Sequence, residues 1–211
     1  MSITYHDPAS LGDMRTACRL ASEVLDYLTP FVKPGVTTNE IDRLAADYMV
    51  RQGTTSATVG YMGASSVPFP KSLCTSVNHV VCHGIPDDKP LKKGDIMNID
   101  VTVIYNGWFG DNSRMFVVGD ATIAARRLCQ VTFEAMWHGI LQVRPGAHLG
   151  DVGHAIQKFA EGNGYSVVRE FCGHGVGRTF HAEPQVLHYG RPGTMEELKP
   201  GMIFTIEPMI N

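Results

Sequence analysis

The chain has 211 residues, of which 44% are apolar and 18% charged, with a net charge of -3 at pH 7. That balance supports a buried core and excludes a disordered chain, and the absence of a basic footprint argues against nucleic acid as the main partner. No apolar run is long enough to span a bilayer, and the start MSITYHDPAS has neither a basic nor an apolar leader region, so no membrane role is expected and the cytoplasm is the default location. The five cysteines, Cys18, Cys74, Cys82, Cys129 and Cys172, are odd in number and carry no C-x-x-C pair, which predicts reduced, mostly buried thiols.

Two helices are predicted to open the chain. In the second, Thr37 and Glu40 have the spacing of a capping box, Ile41, Leu44, Ala45 and Tyr48 form an apolar stripe at helical spacing, and Gly53 ends it. The segment DIMNIDVTVIYNGWFGDNSRMFVV at 95–118 reads as two strands of β-branched and aromatic residues around Asn106-Gly107, a strong two-residue hairpin signal. With those two residues as the loop, Tyr105 faces Trp108 and Thr102 faces Asp111. Asp100, two residues from Thr102, then shares a face with Asp111 as its diagonal neighbour.

Further along, RPGAHLGDVGHAIQKFAEGNG at 144–164 repeats KPGVTTNEIDRLAADYMVRQG at 33–53 with an offset of 111, matching Pro34 to Pro145, Gly35 to Gly146, Glu40 to Asp151 and Gly53 to Gly164. LKPGMIFTIE at 198–207 likewise repeats LKKGDIMNID at 91–100, which pairs Asp100 with Glu207, and FCGHGVG against VVCHGIP sets His174 opposite His83. Several matches in one order predict an internal duplication, with pseudo-repeats over about 12–118 and 123–211 in one α+β domain covering 1–211. Each half then reads as two helices followed by strands, with a histidine on one strand and an acid closing the next.

Asp100 and Asp111 could flank the turn on a solvated face, the usual fate of aspartates. Their setting argues otherwise. Asp100 lies in the apolar run NIDVTV and its repeat mate Glu207 in FTIEPMI, where isolated carboxylates would be costly to bury. Two carboxylates on one face need a shared proton or a cation, and carboxylates with an imidazole suit Mn, Co, Fe or Zn. His174, between small neighbours in GHGVG that leave room for a close approach, is the natural imidazole candidate.

The stretches HVVCHGIPDD, NIDVTV, GWFGDNSRMFVVG, YSVVREFCGHGVGRTFHAEPQVLHY and LKPGMIFTIEPM resemble type I methionine aminopeptidases, of the pita-bread fold, across essentially the whole chain. The resemblance implies that Asp100, Asp111, His174 and Glu207 bind two divalent metal ions, with Asp111 bridging them. It makes His83 and His181 catalytic and substrate-side residues, and Tyr61, Phe69, Cys74 and Phe180 the lining that holds a methionine side chain. The stretch GYMGASSVPFPKS at 60–72 carries a few more residues between Tyr61 and Phe69 than the close bacterial pattern. The implied reaction removes the N-terminal methionine of nascent polypeptides when the second residue is small, by attack of a metal-bridging water, with Glu207 shuttling the proton. The chain's own start, Met1-Ser2, fits that rule.

The resemblance also implies return strands and a further metal-bridging glutamate after Glu207, where only Pro208 to Asn211 follow, so a C-terminally truncated copy of a longer enzyme is expected. Monomer is the default state, and the ribosome stands as a candidate partner. Two other readings share the fold: an X-Pro aminopeptidase, and a non-catalytic pita-bread module that binds proteins.

Overall fold

A computed structural model describes residues 2–63 and 65–211; Met1, and with it the Met1-Ser2 start, lies outside the described residues. The chain divides into two compact units, Gly12–Ile123 and Met1–Leu11 with Ala124–Asn211, called here the N-terminal and C-terminal units.

The N-terminal unit opens with α1 (Gly12–Leu28) and α2 (Thr38–Arg51), followed by β1 (Thr55–Ser56), β2 (Cys74–Val77), β3 (Ile96–Tyr105) and β4 (Trp108–Val117). Helix α1 buries Met14, Ala17, Leu20, Ala21, Val24, Leu25 and Leu28, a helical stripe that packs on β3 and β4. The predicted capping box begins α2: Glu40 N–H donates to Thr37 Oγ1, and Thr37 N–H donates to Glu40 Oε2. Asn106 and Gly107 both have positive φ, as a tight two-residue hairpin requires, and they set the register in which Tyr105 faces Trp108 and Thr102 faces Asp111. Strand β4 pairs with β3 along its length, while β1 and β2 pair with β3 at Val103–Ile104 and Met97–Asp100. Ile99, Val101 and Val103, on one face of β3, join the helix stripes in the core.

The C-terminal unit contains α3 (Ile123–Ile140), which begins at the last residue of the other unit, then α4 (Leu149–Gly162), β5 (Gly173–Gly175) and β6 (Ala182–Val186). Its core gathers Leu149, Val152, Ile156 and Ala160 of α4 with Ala135, Val186, Leu198 and Ile210. Residues 203–211 run extended, bridged to Val167 at Ile210 and to Gly175 at Phe204.

The duplication is visible in the hydrogen bonds. Gly35 N–H donates to Leu91 O at 2.8 Å, and Gly146 N–H to Leu198 O at 3.0 Å; Leu91 and Leu198 return the bond to Val36 and Ala147. Both glycines sit at positive φ, 90° and 84°, where a side chain would be strained. His148 N–H donates to Asp151 Oδ2, as Thr37 does to Glu40. Tyr27 stacks on Tyr48 at 4.3 Å, and their counterparts His138 and Phe159 stack at the same distance.

Three expectations are corrected. His83 lies in a loop at φ 54°, not on a strand, and Glu207 lies outside the named strands. Of the five cysteines, only Cys74 is buried; Cys18 is exposed and the others are partly exposed. No helix among the described residues is long and apolar enough to cross a membrane.

Candidate metal and substrate site

In the N-terminal unit the hairpin carries the acid pair. Asp111 faces Thr102 and accepts a hydrogen bond from Thr102 Oγ1 at 3.0 Å; Asp100 faces Ser113, which makes the two acids diagonal neighbours. Diagonal pairs on one face stand roughly 7–8 Å apart at the backbone, within reach of carboxylates that share cations. Both acids are half-buried.

Cysteine thiols border this pair. Cys74 pairs with Asp100 across β2 and β3, and burial first, then the Asp100 carboxylate, pushes its pKa far up. Although Cys18 of α1 is exposed as a residue, partial desolvation of its thiol first, then the Asp111 carboxylate, raises its pKa. Both therefore remain neutral thiols and add no further negative charge.

His83 belongs to a loop fastened to β2, because Thr75 N–H donates to Gly84 O at 2.8 Å and Gly84 N–H to Ser76 Oγ at 3.2 Å. A Cβ at Gly84 would land on Thr75 O, so only glycine allows this approach. His83 is exposed, yet partial desolvation of its ring lowers its pKa and favours the neutral form. Tyr61 and Phe69 are joined through the backbone: Phe69 N–H donates to Tyr61 O and Gly60 N–H to Phe69 O, each at 2.8 Å.

In the C-terminal unit His174 sits on β5, facing Gln185 next to a register shift. Its backbone N–H donates to Thr205 Oγ1 at 3.0 Å, its carbonyl accepts from Thr205 N–H at 2.9 Å, and Thr205 Oγ1 donates to Glu207 Oε1. Threonine thus ties both candidate ligands together. Nδ1 of His174 lies 3.0 Å from Gly175 O, which assigns the ring proton to Nδ1. Nε2 then turns an electron pair toward Glu207 Oε1, 3.6 Å away. Two donors each about 2.1 Å from one ion, at an angle near 120°, stand about 3.6 Å apart, so this pair fits a shared divalent cation. The ring of His181 lies 4.2 Å from that of His174 and 4.1 Å from that of Phe180.

The small residues of GHGVG serve a purpose other than ligand approach. A Cβ on Gly173 would meet Thr205 O, and one on Gly175 would meet Glu183 O, so both glycines admit the protein's own backbone beside His174. Among the described residues no group of three or more His, Cys, Asp or Glu side chains is gathered as a metal cluster; each unit presents a pair.

Sequence reasoning did not single out Thr205 or His188. His188 is 1% exposed, and its Nε2 accepts the Glu207 backbone N–H at 3.1 Å. Burial lowers its pKa to about 4, so the ring is neutral at pH 7. A motif comparison does include this residue in QVLHY, but nothing in its spacing points to Glu207.

The chain matches the model of metallopeptidase family M24 over residues 12–211. It is 56% identical to the methionine aminopeptidase of Rickettsia prowazekii (strain Madrid E) over 211 residues, covering all of this chain and 80% of that protein. The chain belongs to the methionine aminopeptidases of family M24. The methionine aminopeptidase of Escherichia coli (strain K12) is also 56% identical, over 213 residues, with 100% of this chain and 79% of that protein covered. A crystal structure of the Rickettsia prowazekii enzyme superposes with a TM-score of 0.96 at 56% identity, spanning 100% of this chain and 83% of that one. Membership makes this chain a metallopeptidase, a hydrolase of the pita-bread fold.

Proposed function

We propose that residues 1–211 form a catalytic domain that removes the N-terminal methionine of nascent polypeptides, with Asp100, Asp111, His174 and Glu207 holding two divalent ions. The observation that carries this reading is the diagonal pair of half-buried aspartates on the hairpin, in a chain 56% identical to methionine aminopeptidases. The ions, when bound, supply Lewis acidity and a nucleophile at neutral pH. Cobalt, manganese, iron and zinc all suit these oxygen and imidazole donors.

The protein's own groups have distinct tasks. Asp111, oriented by Thr102 Oγ1, would help hold the ions when they are bound. Glu207, oriented by Thr205 Oγ1, takes the proton of the attacking water and returns it to the departing amine. His83, neutral through desolvation, accepts and donates hydrogen bonds beside the scissile amide, and His181 holds the substrate backbone. Tyr61, Phe69, Phe180 and the protonated thiol of Cys74 enclose the methionine side chain, whose flexible thioether suits an aromatic lining. The enzyme works in the cytoplasm as a monomer, with the ribosome as a partner at the point where new chains emerge.

The test is release of methionine from Met-Ala-Ser with Mn or Co, compared with the N-acetylated peptide and with the Asp111→Ala protein. Release from the free-amine peptide alone, lost in Asp111→Ala while its circular dichroism is retained, is expected. Full activity in Asp111→Ala would overturn the ligand assignment, and an active wild type excludes the non-catalytic binding module.

A further inference from the structure

Glu207 lies on an extended segment outside any named strand, so its side-chain direction depends on how its backbone is held. Thr205 Oγ1 fixes the carboxylate, and the Glu207 N–H reaches His188 Nε2 at 3.1 Å. Accepting a hydrogen bond at Nε2 means that the neutral ring carries its own proton on Nδ1. That Nδ1 is buried and has no hydrogen-bond partner among the described residues. A buried donor left unmet is costly, so a histidine that served packing alone would be poorly placed here.

The segment that carries His188 is anchored. A Cβ on Gly153 of α4 would meet the carbonyl oxygens of both Leu187 and Tyr189, so the helix presses directly on the backbone either side of His188. Gly190 N–H donates to Gln157 Oε1 at 3.1 Å, and His154 Nδ1 lies 3.3 Å from Gly190 O. Helix α4 thus steadies residues 187–190, and His188 carries that support to the backbone of Glu207.

We infer that His188 is a positioning residue: its Nε2 holds the Glu207 backbone so that the carboxylate keeps its 3.6 Å approach to His174 Nε2. The inference rests on Glu207 being a metal ligand, as proposed above. It extends the site to a side chain that touches neither metal nor substrate.

Asparagine and glutamine separate this role from simple burial. Both are polar and near in size to histidine, but a glutamine Oε1 extends about as far as Nε2, whereas an asparagine Oδ1 stops where Nδ1 stands. Cobalt(II) is titrated into the full 211-residue chain and read by its visible absorption band, for wild type, His188→Asn, His188→Gln and Glu207→Ala, with circular dichroism of each. Losing an outer partner of a ligand typically weakens metal binding about 10–100-fold, so His188→Asn should fall in that range and His188→Gln should stay within about threefold of wild type. His188→Asn binding like wild type, or His188→Gln binding as weakly as His188→Asn, overturns the inference. Glu207→Ala binding like wild type would instead remove the ligand assignment on which it rests. Amide exchange at Glu207 in the wild-type protein decides the case if His188→Asn fails to fold: protection equal to that of the Thr205 amide is expected, and rapid exchange overturns the hydrogen bond.

Discussion

Replacing Gly110 by alanine tests how the hairpin is held against α1. Gly110 immediately precedes Asp111 on β4, and a Cβ built there would meet the Ala17 carbonyl group and lie 2.6 Å from Cys18 N. These are backbone atoms within a helix, so no side chain can swing aside. Restoring an ordinary 3.4 Å contact with the Ala17 carbonyl carbon and oxygen, each 2.2 Å from that Cβ, requires helix and strand to part by about 1.2 Å. Overpacking of this kind costs ~1–3 kcal/mol, against the ~0.5–1 kcal/mol ordinarily gained when a strand glycine is replaced by alanine. With helix backbone at 2.2 Å the upper half of the overpacking range applies, so the net loss is about 1–2.5 kcal/mol, or roughly 2–10 °C in melting temperature for a chain of this size. Asp111 moves with β4, and a displacement near 1 Å at a catalytic group can lower the rate by up to ~100-fold. Urea unfolding followed by circular dichroism measures the first effect, and methionine release at saturating metal measures the second. A Gly110→Ala protein as stable as wild type, or more so, would refute the packing argument.

Gly162→Ala is the natural contrast, since nothing lies within 4 Å of a Cβ at this last residue of α4; a gain of about 0.5–1 kcal/mol in urea unfolding is expected from helix propensity. Asp42 is mostly buried, and its Oδ1 accepts the Ser72 N–H at 2.7 Å, while burial raises its pKa. A raised folded-state pKa means the native protein takes up the proton more readily than the unfolded chain, so acidification through that range favours the folded wild type. Asp42→Asn keeps an acceptor for Ser72 and removes the charge. Its unfolding free energy should therefore exceed that of wild type at pH 7, by a margin that shrinks as pH falls toward the ordinary aspartate pKa. A margin that widened on acidification would contradict the assigned shift.

The hairpin register was readable because a two-residue Asn-Gly turn leaves one pairing, and side chains alternate with a period of two. That is why Thr102 opposite Asp111 followed from sequence alone. The Thr37–Glu40 cap was an equally local signal, and the duplication was legible because whole stretches repeat in the same order at 33–53 and 144–164. A strand as short as Thr55–Ser56 carries too few alternations to be read, and its pairing is decided by the partner strand, whereas the strand expected at His174 is present as Gly173–Gly175. Thiol burial depends on which elements close over each cysteine, which explains why Cys18 is exposed although its helix is amphipathic. The glycines beside His174 suggested room for a ligand, but the atoms that come close are carbonyls of Thr205 and Glu183, which are distant in sequence. His188 was invisible for the same reason: its partner is the Glu207 backbone, and a backbone donor leaves no mark in the residue pattern.

Metal uptake provides the most direct test of the central claim that the hairpin acids and the His174–Glu207 pair are ligands. Equilibrium dialysis against Mn(II) would compare wild type with an Asp100→Asn, Asp111→Asn double variant and with His174→Ala, each checked for folding by circular dichroism. Bound manganese is expected in the wild type, with a clear loss in both variants. Manganese content unchanged by either substitution would contradict it.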